Sequence, residues 1–340
     1  MARTRRYIRA ERPFELEIRV KEGLPFACLE VVKLLLKSAM ARAQRDNKIK
    51  ICHYNWLANH LHMLFIPYDA EKCIFFYQEL QKKITEYMKR LLGVRRLALW
   101  EGDPVLAEIL DFEKALDRIA YLYANPASAN LVDSIDEYPG LSSWVDFLEA
   151  GTQVDSVVSH SVPWVRLPNV KKLPSLVLST AKDLALYEEL VATSDTSHEL
   201  AIYPYALLSC FGTTEMSDIK SVRERIINKV RTLETYAREV RKQTGKSVIG
   251  VVRLLKQKIM AFHLPPPRER RIYVHASDTK ERIEHISAVK MFCSACKICY
   301  RAWKAGECTI SWPSGAIRPA LRPCANAVAS IESVVAAYSL

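Results

Sequence analysis

Hydrophobic and polar residues follow two different periods along the first part of the chain. Residues 14–21 alternate strictly between apolar and charged side chains, and a period of two predicts a β-strand with one face exposed to solvent. Residues 29–43 repeat their apolar side chains with the period of an α-helix, and an extended run begins at residues 49–53. Residues 56–66 are apolar on both faces apart from one asparagine and two histidines. That segment predicts a strand within a covered sheet, ended by Pro67.

Two further helices complete the pattern of this region. Apolar stripes predict helices over residues 70–92 and 111–125, with short extended pieces over residues 96–110 between them. Asp111 is the expected N-cap of the second helix, and Pro126 is expected to end it. The order strand, helix, strand, strand, helix, strand, helix predicts an α+β protein. Its antiparallel sheet would be ferredoxin-like, with one extra helix.

The pattern changes beyond Trp144, because three prolines interrupt residues 150–178. We therefore predict a first domain over residues 1–148, a linker over residues 149–178 and a mainly helical region over residues 179–340. The helices expected in that region span residues 180–193, 199–210, 217–243, 247–260 and 279–305.

The composition is that of a basic globular protein. The chain has 340 residues, of which 49% are hydrophobic and 26% charged, and its formal net charge is +11. These values exclude wholesale disorder. No stretch approaches the ~18 uninterrupted apolar residues of a membrane span. Nine cysteines, an odd number, favour a reducing compartment over a disulfide framework. We expect a soluble, cytoplasmic protein.

The positive charge is concentrated in one segment. Residues 220–271 contain 15 Lys and Arg against 4 Glu, so their net charge of +11 equals that of the whole chain. Clustered positive charge suits binding to phosphate backbones, although a solvated helix surface has the same composition. Residues 217–260 also resemble a helix-turn-helix in outline, without a diagnostic turn. We expect phosphate contacts there and leave base recognition open.

His60 and His62 lie two residues apart in a predicted strand. A strand places both imidazoles on one face with Cα atoms roughly 6–7 Å apart, close enough to share a metal ion. In a helix the two side chains would diverge, so the metal interpretation depends on the strand. A His-x-His pair alone is more often a packing feature.

Tyr121 and Tyr123 fall on opposite faces of the helix predicted over residues 111–125. Tyr123 belongs to the apolar stripe, whereas Tyr121 lies on the polar face with Asn125 one turn further on. A phenol is a weak nucleophile at neutral pH unless a base or a metal-polarised phosphate assists it. Tyr121 and Asn125 are therefore either half of such a site or a surface tyrosine beside a helix end.

Cys293, Cys296 and Cys299 raise a second question of metal binding. The first two lie on the apolar stripe of the helix predicted over residues 279–305, which indicates a place in the core. On one continuous helix Cys293 and Cys299 are ~9 Å apart along the axis, too far to share one ion. A metal site would need that helix to be broken.

The first 145 residues or so resemble the REP-associated tyrosine transposases, single-tyrosine members of the HUH nuclease superfamily. Residues 59–62 (Asn-His-Leu-His) resemble the family's histidine signature, and residues 121–126 (Tyr-Leu-Tyr-Ala-Asn-Pro) resemble its Tyr-x-x-x-Asn-Pro block. Residues 1–7 are similar to its basic opening, residues 19–26 to the end of its first strand, and residues 138–144 to a Ser-Ser segment.

The resemblance implies an HUH enzyme that cuts and joins single-stranded or hairpin DNA. Tyr121 would be the nucleophile and form a 5′-phosphotyrosine link, leaving a free 3′-OH. His60, His62 and Asn125 would hold Mg²⁺ or Mn²⁺, which polarises the scissile phosphate. The protein would be nucleoid-associated, as a monomer or a homodimer. The candidate DNA-binding residues are Arg3, Arg5, Arg6, Arg9, Arg19, Lys242, Lys246, Arg253 and Lys256.

Two positions that are often basic in such enzymes are not basic in this chain. Trp100 is followed by Glu101, and Pro126 is followed by Ala127 and Ser128. These differences remove expected phosphate contacts. They leave open an alternative in which the chain keeps the fold as a catalytically silent DNA-binding or regulatory protein.

Overall fold

Strands and helices alternate along the first 128 residues in the order that the hydrophobic pattern predicts. The computed structural model describes residues 6–21, 28–57, 59–165, 180–212, 218–257, 272–307, 309–316 and 328–329. The strands are β1 (Phe14–Arg19), β2 (Lys50–Trp56), β3 (His60–Ile66), β4 (Val105–Ile109), β5 (Leu141–Ser142), β6 (Val158–Pro163), β7 (Ser197–Ile202), β8 (Val274–His275), β9 (Trp312–Pro313) and β10 (Val328–Ala329). The helices are α1 (Glu30–Asn47), α2 (Ala70–Leu92), α3 (Phe112–Ser128), α4 (Trp144–Glu149), α5 (Thr180–Ala192), α6 (Ala206–Ser209), α7 (Ile219–Thr244), α8 (Val251–Leu255) and α9 (Thr279–Ala305).

The first four strands form the centre of one sheet. They lie in the order β2-β3-β1-β4, and each neighbouring pair is antiparallel. With α1 and α2 as the connections, this is the βαββαβ arrangement of ferredoxin-like folds. The predicted α+β class and the predicted order of elements are confirmed for this part of the chain.

The C-terminal region is mainly helical, as predicted, but it also supplies strands to the same sheet. β7 pairs in parallel with β2 through Ile51 and Ile202, β6 pairs with β7, and β8 pairs with β4 at the opposite edge. The prediction of a single helix over residues 199–210 is therefore wrong. That segment is β7 followed by the short α6, because pairing with the free edge of β2 overrides its local pattern.

The linker predicted over residues 149–178 contains β6, and residues 166–178 lie outside the described residues. The boundaries at residues 148 and 179 stay a prediction. The helix predicted over residues 247–260 is the shorter α8 where the chain is described, whereas the predictions for α7 and α9 are confirmed.

Both faces of the central sheet are covered. Phe14, Leu16 and Ile18 of β1 pack in a core with α1 and α2. The alternate face, which the sequence pattern assigns to solvent, lies under α3 instead, where Glu15 of β1 hydrogen-bonds Arg118 at 2.7 Å. Glu15 is therefore an internal partner of α3 and not part of a solvated face, whereas Glu17 and Arg19 pair with each other and are partly exposed.

The basic helix α7 packs along α3, and part of its charge is neutralised there. Lys229 donates to Asp117 at 2.8 Å. The buried Arg241 donates at 2.6 Å to the backbone carbonyl of Ala127 and at 2.6 Å to Asp133. Part of the charge concentrated in this segment thus holds α7 against α3 and the residues that follow it.

The cysteines of α9 lie on one unbroken helix. Cys296 and Cys299 are buried with Phe292 and Trp312, while Cys293 is half-buried. The core interpretation is confirmed for Cys296, and it extends to Cys299. None of the described helices is both long and apolar enough to cross a membrane.

His53 of β2 is a fully buried titratable group between the sheet and α3. Its Nδ1 lies 2.8 Å from the hydroxyl of Tyr123, and its ring contacts Phe147 edge-on. Burial lowers the pKa of His53 from 6.5 to about 3. Between these two values the unfolded chain binds a proton that the folded chain does not, so stability rises with pH across that range.

We expect His53 to make the free energy of unfolding fall on acidification. From about pH 7 to about pH 5 this group alone should remove about 2 kcal/mol. Urea unfolding of wild type and His53→Gln, which keeps a hydrogen-bonding side chain, measures the difference. The wild type should lose more stability than the variant over that range; parallel curves would contradict the assignment.

Candidate active site

Two imidazoles and a phenol meet on the face of the sheet that α3 covers. His60 and His62 are alternate residues of β3, so both point to this face, and their ring centroids are 5.0 Å apart. Tyr121 of α3 lies edge-on to His62 with 5.9 Å between ring centroids. The predicted strand geometry of the histidine pair is confirmed, and the structure brings Tyr121 to it.

The two tyrosines of α3 are separated as the helix periodicity predicts. Tyr121 is 39% exposed. Tyr123 is fully buried, and its hydroxyl group contacts His53 and Ser143. Of these two phenols, Tyr121 is therefore the one that can meet a phosphate approaching from solvent.

A buried carboxylate organises this face. Glu15 is 5% exposed. Its oxygens accept a hydrogen bond from His62 Nδ1 at 3.0 Å and two from Arg118 at 2.7 Å, and its Oε2 lies 2.9 Å from His275 Nε2. Burial raises the pKa of Glu15, but the hydrogen bonds from His275 and His62 and the charge of Arg118 outweigh it and hold the pKa well below its ordinary value. Glu15 is thus an ionised anchor.

Sequence reasoning missed Glu15, Arg118 and His275. Glu15 stands in the alternating strand pattern, and Arg118 lies one turn before Tyr121, so both had a local signal. His275 had none, because it reaches Glu15 only through the pairing of β8 with β4.

The hydrogen bonds of the histidines leave their Nε2 atoms for a ligand. His62 Nδ1–H donates to the ionised Glu15, and His60 Nδ1 lies 2.7 Å from the side-chain oxygen of Asn59. An acceptor at Nδ1 fixes the proton there and directs the lone pair of Nε2 outward. Burial, together with the charges of His62 and Arg19, lowers the pKa of His60 well below 6.5, so that imidazole is neutral at pH 7.

A pair of imidazoles oriented through Nδ1, of which His60 is neutral at pH 7, fits a divalent cation. Across the described ranges, no group of three or more His, Cys, Asp and Glu is placed to hold a metal. A third protein ligand would therefore be an oxygen of another type, such as the amide of Asn125. The metal and its ligands stay a prediction.

Asn125 does not end its helix, contrary to the sequence prediction. α3 continues to Ser128 with Pro126 inside it. Pro126 has no N–H to donate to the carbonyl of Leu122, four residues earlier. Asn55 of β2 donates its side-chain amide to that carbonyl instead, at 2.9 Å. Asn125 therefore stays on α3, one turn after Tyr121, and is 7% exposed.

The phenol of Tyr121 is protonated at neutral pH. Burial raises its pKa above 10.0, the charge of Arg118 lowers it, and Glu15 and Glu17 raise it. The guanidinium carbon of Arg118 lies 4.1 Å from the centre of the Tyr121 ring, which fixes the ring by a cation–π contact. Tyr121 needs a base or a polarised phosphate to act as a nucleophile.

The predicted DNA-binding residues divide into two groups. Arg6 is buried against Pro104 and Tyr77, and Arg9 is bound to Glu108. These contacts occupy both guanidinium groups within the fold, so the geometry does not favour a role for them in DNA binding.

The remaining predicted residues include four that lie at the surface and two that lie outside the described residues. Arg19 pairs with Glu17 and stands opposite His60 in the sheet. Arg3 and Arg5 lie outside the described residues. Lys242, Lys246, Arg253 and Lys256 are all exposed, at or just beyond the end of α7 and of α8. Their DNA contacts stay a prediction.

Comparison with known proteins gives a similarity of fold. No family model matches the chain, and no curated protein matches it significantly. The structure of a REP-associated tyrosine transposase bound to a REP hairpin is similar, with a TM-score of 0.38 and 17% sequence identity. The match covers 44% of this chain and 86% of that chain. A TM-score at this level carries no argument about function.

We expect the hydrogen bond from Asn55 to the carbonyl of Leu122 to stabilise the fold because Pro126 has no N–H to pair with that carbonyl. Asn55→Ala should destabilise the protein by about 1–3 kcal/mol, since it leaves a buried carbonyl without a partner. In a Pro126→Ala background the cost should fall, because the introduced alanine has a backbone N–H for that carbonyl. A double-mutant cycle measured by urea unfolding tests this; additive costs would contradict it.

Proposed function

We propose that the chain is a DNA nickase and strand transferase of the HUH type, with Tyr121 as its nucleophile. The observation that supports this is the convergence of His60, His62 and Tyr121 on one covered face of the sheet. The substrate is single-stranded or hairpin DNA, which the basic surface attracts.

In the proposed reaction, the Tyr121 oxygen bonds to the scissile phosphorus as the bond from phosphorus to the 3′-oxygen breaks. The phenolic proton is lost and the 3′-oxygen gains one, so the products are a 5′-phosphotyrosine and a free 3′-OH. The phosphotyrosine retains the energy of the broken bond. Attack by a 3′-OH can therefore reverse the step and join strands without ATP.

The residues around Tyr121 have separate roles in this proposal. His60, His62 and Asn125 hold Mg²⁺ or Mn²⁺, which would supply Lewis-acid polarisation of the phosphate. Glu15 keeps the proton of His62 on Nδ1 and fixes the plane of that ring. Arg118 links Glu15 to the Tyr121 ring, so the nucleophile and the metal ligand share one support.

Tyr121→Phe should form no covalent adduct, because it lacks the oxygen that bonds to phosphorus. Wild type incubated with Mn²⁺ and an end-labelled, hairpin-flanked single strand should form one, seen as a shifted labelled band on a denaturing gel. Tyr123→Phe is the matched control: it removes a buried hydroxyl from the same helix and should keep the adduct.

Two outcomes would contradict the proposal in different ways. An adduct with Tyr121→Phe would show that the nucleophile is another residue. If folded wild type binds DNA and forms no adduct, the chain is the catalytically silent DNA-binding protein of the alternative interpretation.

The adduct should also depend on a divalent metal through the histidine pair. His60→Ala and His62→Ala should abolish it, as should EDTA with wild type. Glu15→Gln should raise the Mn²⁺ concentration required for adduct formation by about 10- to 100-fold. Removing the hydrogen-bond partner of a ligating imidazole weakens metal binding by that order. His198→Ala on β7, remote from the site, is the control. An undiminished adduct with both site variants would rule out metal binding there.

A further inference from the structure

A large cavity opens beside Tyr121, and the histidine pair is not among its described lining residues. Its volume is about 1100 Å³, and α3, α7, β8 and α9 form its walls. Residues of the C-terminal region thus complete a space that begins at the candidate nucleophile.

The wall from β8 is fixed firmly to the candidate active site. The backbone of β8 pairs with β4, and the carbonyl of Tyr273, just before β8, accepts a hydrogen bond from the amide of Glu108 at 3.3 Å. His275 reaches Glu15 at 2.9 Å. Just after β8, the backbone N–H and the hydroxyl of Ser277 both donate hydrogen bonds to the carboxylate of Asp111. Tyr273 therefore stands on a rigid support that also contacts the carboxylate behind His62.

The charge of the cavity favours an anion. Four basic side chains line it, against the single carboxylate of Asp117 among its described lining residues; the four are Lys114, Arg118, Lys229 and Arg282. Lys229 pairs with Asp117 at 2.8 Å, whereas Arg282 is exposed on α9. Arg118 is also paired, with Glu15 behind the wall, and Lys114 shares Asp117 with Lys229, but the four basic side chains still outnumber these two carboxylates.

The same cavity has large apolar side chains that face solvent. Tyr273 is 47% exposed and Ile283 is 60% exposed, and both line it. Exposed apolar surface next to positive charge is the combination by which proteins bind single-stranded nucleic acid: bases stack on aromatic rings and phosphates meet cations. Paired bases would not present their faces to such a wall.

We propose that this cavity is a nucleotide subsite for the single strand that adjoins the scissile phosphate. Tyr273 stacks on an unpaired base, and Arg282 contacts the backbone. The inference rests on the proposed function for the position of the scissile phosphate, but it concerns binding and not cleavage. It assigns to the C-terminal region a direct part in holding the substrate.

The test measures binding apart from cleavage. Fluorescence anisotropy of a labelled oligothymidylate is followed with full-length chain that also carries Tyr121→Phe. Adding Tyr273→Ala should weaken binding roughly 5- to 100-fold, as expected for the loss of one stacked base. Tyr273→Phe should bind within about twofold of the parent, because the ring remains. Tyr236→Ala is the matched control, since Tyr236 is 65% exposed on α7 and does not line the cavity.

Two further variants test the charge and the position. Arg282→Ala should lower the slope of log affinity against log salt by about one unit. Ile283→Glu changes an exposed helix position, so this variant should fold normally. Its added negative charge should weaken binding of the oligonucleotide. This variant keeps the test valid if Tyr273→Ala does not fold. Abasic nucleotides in the oligonucleotide should remove the difference between Tyr273→Ala and its parent.

The outcomes separate this inference from the proposed function. Unchanged affinity of folded Tyr273→Ala and Ile283→Glu, or no binding of oligothymidylate by the parent, overturns the subsite even if wild type forms the covalent adduct. Weakened binding by these variants supports the subsite even if wild type forms no adduct, and the proposed nuclease activity alone then fails.

Discussion

One buried carboxylate constrains everything around the candidate active site. Glu15 is 5% exposed, and an ionised group buried to that degree is stable only when hydrogen-bond donors surround it. The donors come from three elements: His62 on β3, Arg118 on α3 and His275 on β8. Loss of one donor leaves the charge of Glu15 less compensated and makes the ionised carboxylate less stable. The strength of the other two hydrogen bonds then changes as well. The sheet, the helix that carries Tyr121 and the C-terminal region are therefore coupled energetically at a single residue.

Local periodicity predicts the elements whose burial is decided by their own sequence. α2 and α9 have the bounds that their apolar stripes indicate, and Asp69 and Asp278 cap their first turns. The prediction fails at residues 199–210, because a short apolar segment does not reveal that β2 has an edge available for pairing. It fails again at Pro126, where the signal to end α3 is genuine but a side chain from another strand supplies the missing partner.

The same distinction explains which site residues could be found. A spacing of two in a strand and one face of a helix are local properties, so the sequence could single out His60, His62 and Tyr121 as candidates, while their proposed roles come from the family resemblance. Alternation along β1 shows that Glu15 shares a face with its charged neighbours, but it cannot show whether water or α3 covers that face. His275 meets Glu15 only after the chain has folded, so no local pattern could indicate it. The cavity beside Tyr121 is likewise a product of long-range packing.

The proline inside α3 has a consequence for the precision of the site. Apolar contacts between a helix and a sheet have little directionality, so they alone allow a helix to shift along its axis. The hydrogen bond from Asn55 to the carbonyl of Leu122 does not allow it, since a shift of one residue, about 1.5 Å, would break the bond and leave that carbonyl unpaired. α3 is thus held in longitudinal register with β2. Tyr121 lies one residue before Leu122, so its height above the imidazoles of β3 is set by the strand spacing of the sheet.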